Sequence, residues 1–133
     1  ALCLASESDR EDEWLPLAWA IRNRVESSQY PDTYVAVILQ PMQFSYFNPF
    51  TRVDSEAIFE VAMSEYPGAR QPDAMSCAAW VIRAPAWERP FSHRVLHFWA
   101  PAAMDPPGTD PSWASQMKVF ELPGNFRWKF AES

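Results

Sequence analysis

A chain of 133 residues is long enough for one domain to bury most of its apolar surface without dense disulfides or a structural metal. Its 48% apolar and 21% charged residues are those of a folded globular domain, which sets aside disorder and fibrous repeats. A net charge of −6 with no clustered Lys/Arg face excludes duplex nucleic acid as a partner, and no apolar run approaches the roughly 20 residues of a membrane span.

Thirteen prolines against three glycines predict helices joined by stiff connectors. The opening Ala1-Leu2-Cys3 shows no charged leader followed by an apolar stretch, so no signal peptide is read there. A removed leader, a trimmed Met and a piece of a longer chain all fit this start. Leu2 to Ser6 reads as the last turn or two of a helix, running into the charged stretch Asp9 to Glu13. Trp14, Leu17, Ala18, Ile21 and Val25 then recur at three- and four-residue steps, predicting a second helix with Pro16 in its first turn.

Asp32 is placed as the N-cap of a short helix through Tyr34, Val37 and Ile38, stopped by Pro41. Asp54-Ser55 opens another through Ile58, Val61, Ala62 and Glu65, ending at Pro67-Gly68. Asp73 is read as the cap of a third, in which Ala74, Cys77, Ala78 and Val81 share a face before Pro85. Ser92 to Trp99 alternates as a strand does, and a Pro-rich loop from Pro101 to Pro111 leads to a brief turn at Ser112 to Met117. Val119 to Leu122 and Phe126 to Phe130 read as a hairpin around Pro123-Gly124-Asn125. The expected class is α+β, mostly helical, with a small antiparallel sheet late in a single domain.

Glu7 is the candidate general acid, because it follows an apolar helix end, and burial against apolar neighbours keeps a carboxyl protonated near neutral pH. Glu11 and Glu13 stand in a run of like charges, which is usually a solvated face. A surface role for Glu7 is the plain alternative. His93 and His97 are four apart but have no third ligand spaced nearby, so no metal is expected; a packed or groove-lining His97 is read instead. Cys3 and Cys77 fit either one disulfide or two buried thiols, and no nucleophile signature surrounds Cys3. Seven Trp, nine Phe and four Tyr supply flat surfaces for a carbohydrate groove, or simply fill a small core.

Four segments in order resemble the SleB-type cell wall hydrolase family, found in spore cortex-lytic enzymes and phage lysis proteins. They are Ala5-Ser6-Glu7-Ser8 with the helix ending Asn23-Arg24-Val25; Tyr30-Pro31 through Gln43-Phe44-Ser45; the helix around Cys77-Ala78-Ala79 with Leu96-His97-Phe98-Trp99; and Asp110-Pro111-Ser112-Trp113 with the closing aromatic strand. Gln43-Phe44-Ser45 is the most specific piece, and the resemblance spans almost the whole chain. At Arg127 and Trp128 relatives often carry a His, so no role is carried over to that position.

The resemblance implies a lysozyme-like domain of the goose-lysozyme or lytic transglycosylase type over residues 1–133, acting on peptidoglycan glycan strands without a cofactor. It implies cleavage of the β-1,4 bond between N-acetylmuramic acid and N-acetylglucosamine, with Glu7 as both acid and base and a 1,6-anhydro product. Hydrolysis by inversion is the variant, with Asp9, Glu11 or Asp54 positioning water. By position-matching, Gln43, Ser45 and His97 are groove residues, and Phe44, Tyr46, Trp99 and Trp113 are ring contacts; a core role for Phe44 and Trp113 is the alternative. A monomer at the bacterial wall is expected, periplasmic, extracellular or released during phage lysis. Two rivals stand beside this reading: a non-catalytic glycan-binding or structural module of a virion or secretion apparatus, and a peptidoglycan amidase or peptidase.

Overall fold

The computed structural model describes residues 4, 8, 11–38, 40, 70–124 and 126–133. The predicted helix over Asp54 to Glu65 lies outside them, as does Cys3; Cys77 is a free thiol.

The central element is helix α1, Glu11–Glu26. It starts earlier than the apolar spacing predicted, so Pro16 falls inside it rather than in the first turn. The ring removes the hydrogen bond that an N–H at position 16 would send back one turn. Burial outweighs that loss. Trp14, Leu17, Ala18, Trp19, Ala20 and Ile21 are all buried, and each large apolar side chain among them contributes about 1.5–3 kcal/mol. A helix buried on nearly every side must be covered on every side. Helix α2 (Tyr34–Ile38), helix α3 (Arg70–Arg83) and strand β1 (Val95–Trp99) provide that cover.

Two caps differ from those read in the sequence. In α2 the Thr33 hydroxyl, not Asp32, accepts a hydrogen bond from the Ala36 N–H, at 3.2 Å. Asp73 is the fourth residue of α3 rather than its cap, because the helix begins at Arg70. The expected inner face holds, with Ala74 and Val81 buried and Cys77 and Ala78 packed against the core.

The sheet is three-stranded and antiparallel, ordered β1-β3-β2, with β2 at Lys118–Glu121 and β3 at Lys129–Glu132. The late hairpin is therefore present, but its second arm starts after Trp128, and Gly124 supplies the turn at φ 107°. Phe98, Phe130 and Phe120 stand in register across the strands, with neighbouring rings 6.3 and 6.0 Å apart. That face packs on the helices. The opposite face carries Trp99, Ala131 and Val119 beneath the 3-10 turn Ser112–Gln116.

Asn23 and Arg24 join the helix to the sheet. The Asn23 amide donates to the Ser92 carbonyl at 3.1 Å and the Val95 carbonyl at 2.9 Å, and Arg24 Nε donates to the Leu96 carbonyl at 2.7 Å. The pairing of β1 with β3 slips between Val95 and His97. A bulge of this kind leaves a residue outside the ladder, and Arg24 satisfies its carbonyl. The guanidinium also lies over the rings of Phe98 and Tyr30, 5.0 and 5.1 Å from their centroids.

Candidate active site

At the N-terminal end of α1, Ser8 is held at four points. Its N–H donates to the Leu4 carbonyl at 3.1 Å, and its carbonyl accepts from the Trp14 indole at 2.9 Å. Its hydroxyl donates to Glu13 Oε1 at 2.7 Å and accepts from Arg127 Nη2 at 3.0 Å. Ser8 directly follows Glu7 in the chain, so these bonds fix the backbone next to the predicted acid.

Glu13 is the hub of this arrangement. It is fully buried, and its carboxylate accepts from the Arg127 backbone N–H at 2.8 Å, Nε at 2.9 Å and Nη2 at 2.6 Å. Burial pushes the Glu13 pKa up, but the Arg127 and Ser8 hydrogen bonds and the Arg127 charge outweigh it and hold the carboxyl below its ordinary 4.5. Glu13 is thus an ionised anchor with no proton to give at neutral pH. Its expected place on a solvated, charged face is overturned: Glu13 is four residues before Leu17 and shares the buried side of α1. That spacing was a usable signal. Arg127, 114 residues away, gave none.

On the outer face of the sheet, three predicted residues come together. The His97 ring lies 5.0 Å from that of Trp113, and Trp99 meets Trp113 edge-on at 5.3 Å. Trp113 is 38% exposed and Trp99 is buried beneath it. Trp99 Nε1 donates to Asp110 at 3.1 Å, and Asp110 pairs with Lys129 at 3.0 Å. The Lys129 hydrogen bond, then that of Trp99, holds the Asp110 carboxyl below its usual range. Burial, and next the Arg24 charge, pushes the His97 pKa below 6.5, so the ring is neutral at pH 7. Its Nδ1 is buried and has no hydrogen-bond partner among the described residues.

Glu7, Gln43, Phe44, Ser45 and Tyr46 lie outside the described residues, as do Asp9 and Asp54. His93 sits in the exposed turn before β1. Among the described residues no three His, Cys, Asp or Glu side chains converge as metal ligands, and no helix is long and apolar enough to cross a membrane.

The fold is similar to that of the catalytic domain of the germination-specific lytic transglycosylase SleB from Bacillus anthracis. The TM-score is 0.64 at 18% identity, covering 98% of this chain and 88% of that one. The mixed α+β, lysozyme-like class expected from the sequence is thereby borne out. A search of curated protein sequences finds no match. The model of the Cell Wall Hydrolase family matches residues 9–126, nearly the whole chain, and the protein belongs to the cell wall hydrolase family.

Proposed function

We propose that this domain, residues 1–133, degrades peptidoglycan by cleaving the β-1,4 bond between N-acetylmuramic acid and N-acetylglucosamine, as a lytic transglycosylase with Glu7 as acid and base. The observation that carries this reading is the four-point restraint on Ser8 in a chain of the cell wall hydrolase family. A group that protonates a glycosidic oxygen must be placed within hydrogen-bond reach of it, and fixing the adjacent backbone is how a fold achieves that.

In the first step the Glu7 carboxyl gives its proton to the leaving oxygen as the C1–O bond breaks. The resulting carboxylate then accepts the proton of the muramyl 6-hydroxyl, whose oxygen closes on C1 to form the 1,6-anhydro ring. One residue serves twice, so a second catalytic carboxylate is unnecessary. Glu13 is unsuited to the first step, since Arg127 keeps it ionised.

His97, Trp99 and Trp113 form the sugar platform in this reading. Trp113 offers an exposed ring face, and His97 Nδ1 is an unused polar atom beside it. Gln43, Phe44, Ser45 and Tyr46 complete the groove. The enzyme acts as a monomer at the bacterial wall, outside the cytoplasmic membrane or after release in phage lysis, and requires no cofactor. Mass spectrometry of fragments released from purified peptidoglycan tests the chemistry. Anhydro-muramyl ends are expected, and reducing muramyl ends alone would replace transglycosylation by hydrolysis.

A further inference from the structure

At the opposite end of α1 from Ser8, a polar cleft of ≈ 710 Å³ opens between the last helical turn, the loop at 27–29 and the turn before β1. Asn23 in its wall is ten residues beyond Glu13, or about 15 Å along the helix axis. The cleft is therefore separate from the Ser8 cluster.

Its lining is rich in donors and in positive charge. Arg89, His93 and Arg94 face it, with the Gln29 amide and the hydroxyls of Ser27 and Ser28. Glu26 is the only carboxylate side chain among the described lining residues, and it is already held by two guanidinium groups. Arg22 Nε takes one of its oxygens at 2.7 Å, and Arg89 Nη2 takes the other at 2.7 Å. Arg94 donates to the Ser133 carbonyl. Two guanidinium groups, those of Arg89 and Arg94, line the cleft against one carboxylate side chain, a local positive excess on a chain whose net charge is −6. Two atoms at this wall also have unused hydrogen-bonding capacity. Asn23 is 1% exposed, and among the described residues its Oδ1 has no donor while its Nδ2 serves Ser92 and Val95, and Arg89 Nε has no acceptor. Buried polar atoms are rarely left unpaired, and a peptide unit supplies both a donor and an acceptor.

We propose that this cleft binds the carboxylate-bearing peptides attached to the muramyl residues of peptidoglycan, and so holds the polymer at a second point. The inference rests on the peptidoglycan reading above and names a further part of the same substrate. Arg89 and Arg94 meet the carboxylate, because guanidinium groups recognise its two oxygens in parallel. The Gln29 amide and the hydroxyls of Ser27 and Ser28 meet the peptide backbone.

The test is an NMR titration of the full chain with a synthetic stem peptide, with the same peptide carrying amidated carboxylates, and with inorganic phosphate. The stem peptide is expected to shift the backbone signals of Gln29, Ala86, Arg89 and Arg94, and the amidated peptide to leave them in place. The double variant H93A/R94Q changes two exposed side chains, which keeps the core intact, and it is expected to bind the stem peptide about tenfold more weakly. Glu7→Gln is expected to bind it as the wild type does. The proposal is overturned if no signal near the cleft moves, if the amidated peptide or phosphate produces the same shifts at the same concentration, or if the double variant binds undiminished. Cleavage of peptide-free glycan strands by the wild type, assayed in parallel, reads the glycosidase assignment separately.

Discussion

Arg127 reaches Glu13 across 114 residues of sequence, Nη2 to Oε1 at 2.6 Å, and the two partners differ sharply in exposure: the Glu13 side chain is 0% accessible and that of Arg127 45%. The consequences of losing each one differ accordingly. Without Glu13, water solvates the half-exposed guanidinium. Without Arg127, a carboxylate remains buried with the Ser8 hydroxyl as its one other donor among the described residues.

Arg127→Met is therefore expected to cost about 3–5 kcal/mol, the range for stranding a buried charge. Glu13→Gln is expected to cost about 1–3 kcal/mol, because it removes the charge and turns one of the two accepting oxygens into a donor, while the other still accepts. Urea unfolding of both variants ranks them. Equal losses, or the reverse order, would contradict the assignment of Glu13 as the buried anchor.

Two buried or half-buried groups, His97 and Glu13, contribute to the acid limb of stability beside the exposed Asp110. The His97 pKa is depressed in the folded state, so as pH falls through 6.5 the unfolded chain takes up that proton first, and stability declines. Glu13, held below 4.5, adds a second decline in the carboxylate range, where the unfolded chain again binds the proton before the folded one. The melting temperature is expected to fall in both windows, and His97→Gln is expected to remove the upper one only. An unchanged pH profile in that variant refutes the assignment of His97.

Asn23→Leu withdraws one amide from two carbonyls, those of Ser92 and Val95. A loss of about 2–4 kcal/mol is expected, and hydrogen exchange is expected to speed up first at β1. If exchange rose instead uniformly across α1, the amide would be supporting the helix rather than joining it to the sheet.

Trp113→Ala removes an aromatic ring that is 38% exposed. KM on glycan strands is expected to rise about tenfold, with kcat within about twofold and stability within about 1 kcal/mol. A large stability loss with KM unchanged would assign the ring to the core.

The sequence makes α1, α2, α3 and the late sheet legible because apolar spacing is a local property: Trp14, Leu17, Ala18 and Ile21 mark α1 on their own. The order of segments shared with the family pointed to His97, Trp99 and Trp113 one by one, and the fold brings their rings together. Helix starts were less legible. Thr33 replaced Asp32 as a cap, and α3 began before Asp73, because short polar residues near a helix start compete as caps and a single sequence does not rank them. Least legible were the long-range bonds. Nothing near Glu13 announces Arg127, and nothing near Leu96 announces that Arg24 will take its carbonyl. Those contacts exist only once the helix and sheet have met.

Glu7 is the residue on which cleavage of the glycan strand depends in the proposed mechanism. Clearing of purified peptidoglycan in a zymogram tests it most directly, with wild type and Glu7→Gln compared at equal folded concentration. The wild type is expected to clear, and the variant to lose at least about a hundredfold, the scale of a positioned acid. Clearing that persists unchanged in Glu7→Gln would contradict it.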